Sequence, residues 1–100
     1  MIITPSGGSC GARVTGLDLS GELSAKTVAA IRSAWLEHKV LAFAEQSNFD
    51  DHALERFTEA MGGFGDDPFF DPIPGHPNIA AIQREADEKS TIFAENWHSD

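Results

Sequence analysis

An α+β domain is what this sequence predicts, and three observations predict it. Two segments, one opening at Ser24 and one at Asp50, each carry a capping residue, a hydrophobic staple and apolar residues at helical spacing. The stretch from Ile2 to Leu19 is apolar but punctuated by glycine, which reads as strand, turn, strand. Val40-Leu41-Ala42-Phe43-Ala44 is short and continuously apolar, the pattern of a strand covered on both faces. A chain of 100 residues with 41% apolar residues is the size of one domain and ordinary in globular composition.

In chain order, Gly7, Gly8, Gly11 and Gly16 break the first segment into strands and turns. Leu17 and Leu19, two apart, share a face wherever the chain is extended. Cys10 lies in the Gly-Gly-Ser-Cys-Gly turn with only Arg13 as a nearby cation, so it reads as structurally incidental. The first helix is capped by Ser24 and stapled by Leu23 against Val28; Val28, Ile31 and Trp35 form its stripe. Lys39 at its end suits the negative pole of the helix dipole, and His38 beside it reads as a surface cap. The second helix is capped by Asp50 and stapled by Phe49 against Leu54, with Leu54, Phe57 and Met61 as its stripe and Gly62-Gly63 as its stop. Phe64 to Asn78 then loses all period and holds four of the five prolines with Phe64, Phe69 and Phe70, which predicts a mobile lid or binding loop at the substrate opening. Ile79 to Gln83 reads as a strand, Arg84 to Ser90 as a charged turn, and Thr91-Ile92-Phe93 as the opening of another strand.

Charge excludes several classes. A formal charge of −9 sets up no attraction for phosphate backbones or anionic bilayers, so neither nucleic acid nor a membrane is an expected partner. The longest apolar run is far too short to span a bilayer, and no basic, apolar leader opens the sequence. One cysteine forms no internal disulfide, which predicts a reducing, cytoplasmic setting.

The chemistry is concentrated at Asn96-Trp97-His98-Ser99-Asp100. On a strand, positions i and i+2 point to one side, so His98 and Asp100 present an imidazole and a carboxylate together. That is two thirds of the 2-His-1-carboxylate triad of non-haem Fe(II) oxygenases. The spacing alone is weak, since this composition supplies a His-x-Asp by chance roughly a third of the time. Asp50-x-His52 has the reverse spacing and reads as a helix cap followed by a surface histidine. The lone cysteine and scattered histidines give no grouping typical of structural zinc.

Three segments taken together are more specific. Gly11-Ala12-Arg13-Val14-Thr15-Gly16-Leu17-Asp18-Leu19, Trp35-Leu36-Glu37-His38-Lys39-Val40-Leu41-Ala42-Phe43 and Asn96-Trp97-His98-Ser99-Asp100 occur in one order along the chain. In this succession the sequence resembles the taurine dioxygenase-like (TauD/TfdA) family of Fe(II)/2-oxoglutarate-dependent dioxygenases. The resemblance implies a double-stranded β-helix, or jelly roll, with flanking helices, of which residues 1–100 are the N-terminal part and the remainder lies outside this chain. It implies Fe(II) held by His98 and Asp100, 2-oxoglutarate and O₂ as co-substrates, and hydroxylation of a small organic molecule. Trp97 and Asn96 then pack or orient around the metal ligands.

Such enzymes place a distal histidine and a 2-oxoglutarate-clamping arginine well after this pair. His38, His52 and His76, and Arg13, Arg32, Arg56 and Arg84, all precede it, so the chain alone is expected to be inactive. Taurine-type members carry His-Pro-x-Tyr where this sequence reads Asp67-Pro68-Phe69-Phe70, and an asparagine where it has Ala94. A carboxylate in place of an imidazole repels a sulfonate, so taurine is disfavoured. Phe70 and Ala94 become the candidate substrate contacts, suited to a larger or more apolar molecule. The competing class is a small acidic binding module that uses its Phe-rich loop. A homo-oligomer is left open.

Overall fold

The computed structural model describes residues 1–66, 70–90 and 96–98, arranged as two compact units, Met1–Phe69 and Phe70–Asp100. Among the described residues the helices and the sheet lie in the first unit: β1 (Ile2–Pro5), β2 (Ala12–Thr15), α1 (Ala25–His38), β3 (Leu41–Phe43) and α2 (Asp51–Met61). The strands form one mixed sheet in the order β1-β2-β3. β1 and β2 are antiparallel, with Ile2 opposite Thr15 and Pro5 opposite Ala12. β2 and β3 are parallel, with Ala12 opposite Leu41 and Val14 opposite Phe43. Parallel neighbours need a crossover, and α1 supplies it.

The turn between β1 and β2 is held by one side chain. Ser6 Oγ donates to the Cys10 carbonyl at 2.7 Å and accepts from Gly8 N–H at 3.2 Å. Gly7 and Gly11 close the loop at φ 86° and 97°, a region that glycine enters without steric cost. Cys10 is an exposed free thiol at its tip. In β2, Ala12 and Val14 are buried while Arg13 is exposed, the period-two alternation of a strand with one face on the core.

Both helices begin as the sequence predicts. Ser24 Oγ accepts from Thr27 N–H at 3.1 Å, and Asp50 Oδ1 accepts from Ala53 N–H at 2.8 Å, each satisfying an amide that the helix leaves unpaired. Gly62, at φ 143°, ends α2. The buried lines differ from the predicted stripes. α1 buries Ile31 and Ala34 while Trp35 stays 47% exposed, and α2 buries Ala53 while Leu54 is 38% exposed. Alanine lets a helix backbone approach its neighbour closely, so the contact line runs through the small residues and the large ones flank it. Phe57 lies half-buried, meeting Phe43 and Phe49 edge-on at centroid distances of 5.6 and 6.4 Å. Ile31 and Val14 are the largest fully buried side chains, each contributing about 1.5–3 kcal/mol by leaving water.

The 40–44 run is a strand, but not one covered on both faces. Among the described strands β3 is an outer one; Ala42 is exposed and Val40 is 57% exposed. Its inner edge is firmly tied, with Ala12 N–H donating to Val40 O at 2.9 Å and Ala44 N–H to Val14 O at 3.0 Å. His38 is half-buried rather than a surface cap. Its carbonyl accepts from Gly11 N–H at 2.7 Å, which sews the end of α1 to the start of β2. Leu19 is buried and Leu17 half-buried although neither is in a strand. The Gln46 side chain fixes them: Nε2 donates to Leu17 O at 2.7 Å and Oε1 accepts from Leu19 N–H at 2.9 Å.

In the second unit the described residues form turns. Ile73 and His76 make an isolated antiparallel bridge around Gly75, and Ile73 N–H donates to Ile79 O at 2.8 Å. Residues 79–83 are not a strand, and Ile82 is 71% exposed. A strand persists only when it is paired, and no described strand pairs with this one. The strand predicted to open at Thr91 lies outside the described residues, as do Asp67, Pro68 and Phe69.

Candidate functional site

His98 lies in irregular backbone with Asn96 and Trp97, not on a strand, so the i, i+2 geometry expected of a strand does not apply up to this point. What positions the imidazole instead is a local hydrogen bond. His98 Nδ1 lies 2.8 Å from the carbonyl oxygen of Asn96. A carbonyl only accepts, so Nδ1 carries the hydrogen and donates it. In the neutral ring the remaining lone pair is then on Nε2, the tautomer that metal-binding histidines adopt when their other nitrogen is held by a backbone carbonyl. The ring is exposed, and an imidazole nitrogen oriented in this way is a donor suited to Fe(II). The residues present therefore fit a metal on the histidine side.

Asp100 and Ala94 lie outside the described residues. Phe70, the other candidate substrate contact, is half-buried at the start of the second unit. Trp97 is fully exposed. The contribution of Asn96 is its main-chain carbonyl, a role that residue-type reasoning misses because any side chain at that position offers it. The i, i+2 separation of Asn96 and His98 is the signal that carried it.

Elsewhere, the carboxylates with shifted titration serve local structure. Hydrogen bonds from the Ser20 side chain and backbone hold Asp18 below the usual carboxylate range, and the Ala53 N–H does the same for Asp50. Asp50 is thus the helix cap that the reversed Asp-x-His spacing suggested, with His52 exposed on α2 beside it.

Comparison with known proteins agrees with the segment matches. The family model for the taurine catabolism dioxygenases, the TauD/TfdA family, matches residues 3–100. An alkylsulfatase from Acinetobacter baylyi is 36% identical over 93% of this chain and 28% of its own length. An alpha-ketoglutarate-dependent sulfate ester dioxygenase from Pseudomonas putida is 31% identical over 98% of this chain and 31% of its own. Among solved structures, a taurine dioxygenase from Burkholderia xenovorans superposes with a TM-score of 0.66 at 30% identity, covering 83% of this chain and 31% of that one. The chain spans about three tenths of the length of the curated relatives it matches. With the ordered segments, the oriented imidazole and a family match running almost from end to end, the chain belongs to the TauD/TfdA family.

Proposed function

We propose that this chain is the N-terminal part of a jelly-roll domain that hydroxylates a small organic substrate with Fe(II), 2-oxoglutarate and O₂. The observation that carries the reading is the His98–Asn96 contact, which leaves Nε2 as the donor nitrogen inside the family's His-x-Asp motif. His98 Nε2 and the Asp100 carboxylate hold the metal, and the Asn96 carbonyl fixes the ring's tautomer and orientation. Bound there with its co-substrates, the iron would supply the oxidising chemistry, with 2-oxoglutarate converted to succinate and CO₂ by the reaction the family carries out. Phe70 and Ala94 border the substrate. A third ligand and an arginine for the 2-oxoglutarate carboxylate come from further chain, so these 100 residues alone form no succinate. The single exposed cysteine fits a reducing, cytoplasmic setting, and no described helix is long and apolar enough to cross a membrane.

The relatives named as an alkylsulfatase and a sulfate ester dioxygenase make an alkyl sulfate the first substrate to test, with taurine as the comparison. The experiment joins this chain to the portion of the Pseudomonas putida enzyme that it does not match. Succinate is then measured with Fe(II), ascorbate, O₂ and 2-oxoglutarate, with octyl sulfate or taurine as substrate. Octyl sulfate-dependent succinate that is lost in His98→Ala supports the reading. Turnover that survives His98→Ala refutes it.

A further inference from the structure

We propose that Ile73–Ile79 is a self-closed double turn that folds from its own residues and acts as a rigid mount for His76 rather than as part of a mobile lid. This goes beyond the proposed reaction and stands or falls separately from it. Two β-turns share His76. In the first, His76 N–H donates to Ile73 O at 3.1 Å across Pro74 and Gly75. In the second, Ile79 N–H donates to His76 O at 3.1 Å across Pro77 and Asn78. Ile73 N–H then donates to Ile79 O at 2.8 Å and closes the ring. Each turn carries the residues its type demands. Proline at the second position presets φ, and Gly75 at φ 77° supplies the left-handed third position of a type II turn. Asn78 has no positive φ, as the third position of a type I turn requires.

His76 is the locked residue. Its N–H belongs to one turn and its carbonyl to the other, so its backbone cannot rotate without breaking one of them. Its side chain is half-buried, while Pro74, Gly75, Pro77 and Asn78 at the two tips are exposed. Pro72, Pro74 and Pro77 narrow the conformations open to the unfolded segment, so less entropy is lost on closing it. The three bonds lie wholly within these residues, and closure entropy grows with the length of the loop closed. A group held on such a mount meets a ligand without first being ordered, which is what preorganisation contributes to binding.

Amide exchange and nitrogen relaxation on the 100-residue chain test this, with no need of metal, co-substrate or turnover. Gly75, His76 and Asn78 should show backbone order parameters of about 0.8 or more, the range of rigid backbone. The amides of Ile73, His76 and Ile79 should exchange at least about tenfold more slowly than those of Gly75 and Asn78, each relative to its intrinsic rate. Gly75→Ala probes the backbone alone, because a β-carbon there has open space and only the left-handed φ opposes it. It should cut the protection of all three amides together by about tenfold. Gly65→Ala, also in open space but with no positive φ, should leave that protection unchanged. Ile31→Ala removes core from the first unit and should leave it unchanged as well, even where that unit unfolds. Order parameters below about 0.6 at these residues, or equal exchange of the two sets of amides, would overturn the proposal. So would a Gly75→Ala chain that keeps its protection, or protection lost in Gly65→Ala or Ile31→Ala.

Discussion

His98 donates from Nδ1 to the carbonyl of Asn96, two residues before it and 2.8 Å away, and this contact sets the tautomer of the neutral ring, with the lone pair on Nε2. If His98 is the ligand proposed above, removing its ring removes a metal donor. His98→Ala should weaken binding of Co(II), used as a spectroscopic stand-in for Fe(II), by at least about tenfold in the fused protein, given that loss of even a supporting contact to a ligand costs 10–100-fold. His38→Ala should leave it unchanged, because His38 serves the join between α1 and β2 through its carbonyl. A calorimetric titration distinguishes the two, and equal affinities for His98→Ala and the parent would sink the ligand assignment.

Gln46 should be a stability residue out of proportion to its polarity. Its amide donates to Leu17 O and Ala44 O, both at 2.7 Å, and accepts from the buried Leu19 N–H. Gln46→Ala leaves that amide without its acceptor and should cost about 1–3 kcal/mol in urea unfolding. Gln46→Glu should cost as much or more, since a carboxylate cannot donate and would face two carbonyl oxygens. A shift below the error of the transition for both variants would show that the loop is held by other contacts.

The sequence was most legible where local chemistry decides. Ser24, Asp50 and Gly62 sit where capping rules put them, because a cap depends only on the few residues around it. The inward faces were read less well. Val28, Ile31 and Trp35 suggested one stripe, yet Ala34 is buried and Trp35 is not, since tight approach selects small side chains that a search for large apolar residues passes over. The 40–44 run gave the strand but not its coverage, which depends on neighbours far away in the chain. Residues 79–83 failed for the same reason, as pairing is a property of two segments. For the site, residue type and spacing singled out His98, while the Asn96 carbonyl that orients it carries no side-chain signature.

The capping carboxylate of α2 should make the first unit acid-sensitive. The Ala53 N–H holds Asp50 below the usual carboxylate range, so the folded state favours the ionised form. A depressed folded pKa contributes stability that is present above the unfolded value and is lost as pH falls through the folded one. Asp50→Asn, which keeps an acceptor but cannot titrate, should therefore lose less stability than the parent between pH 5 and pH 2, to about the extent that the charge strengthens the cap. Parallel acid-unfolding curves for the two proteins, followed by far-ultraviolet circular dichroism, would contradict this.

Lys39 should be improvable. It closes α1 at φ 70° and ψ −33°, a backbone region in which a β-carbon meets its own peptide groups. Its N–H donates to Trp35 O at 2.7 Å and its carbonyl accepts from the Trp35 indole, both main-chain roles that glycine keeps. What glycine gives up is the ammonium's bond to Leu36 O, an exposed contact that contributes little. Relief of the left-handed conformation is worth about 1–2 kcal/mol, and the added freedom of glycine in the unfolded chain takes back about 0.5–1 kcal/mol. The balance favours Lys39→Gly by about 0.5–1 kcal/mol, a rise of about 2–8 °C in thermal midpoint for a domain of this size. Lys39→Ala separates the two contributions, because it loses the ammonium but keeps the strained β-carbon, and it should show no such rise. If both variants melt at the same temperature, the backbone at position 39 is not strained and the helix end owes its geometry to Trp35 alone.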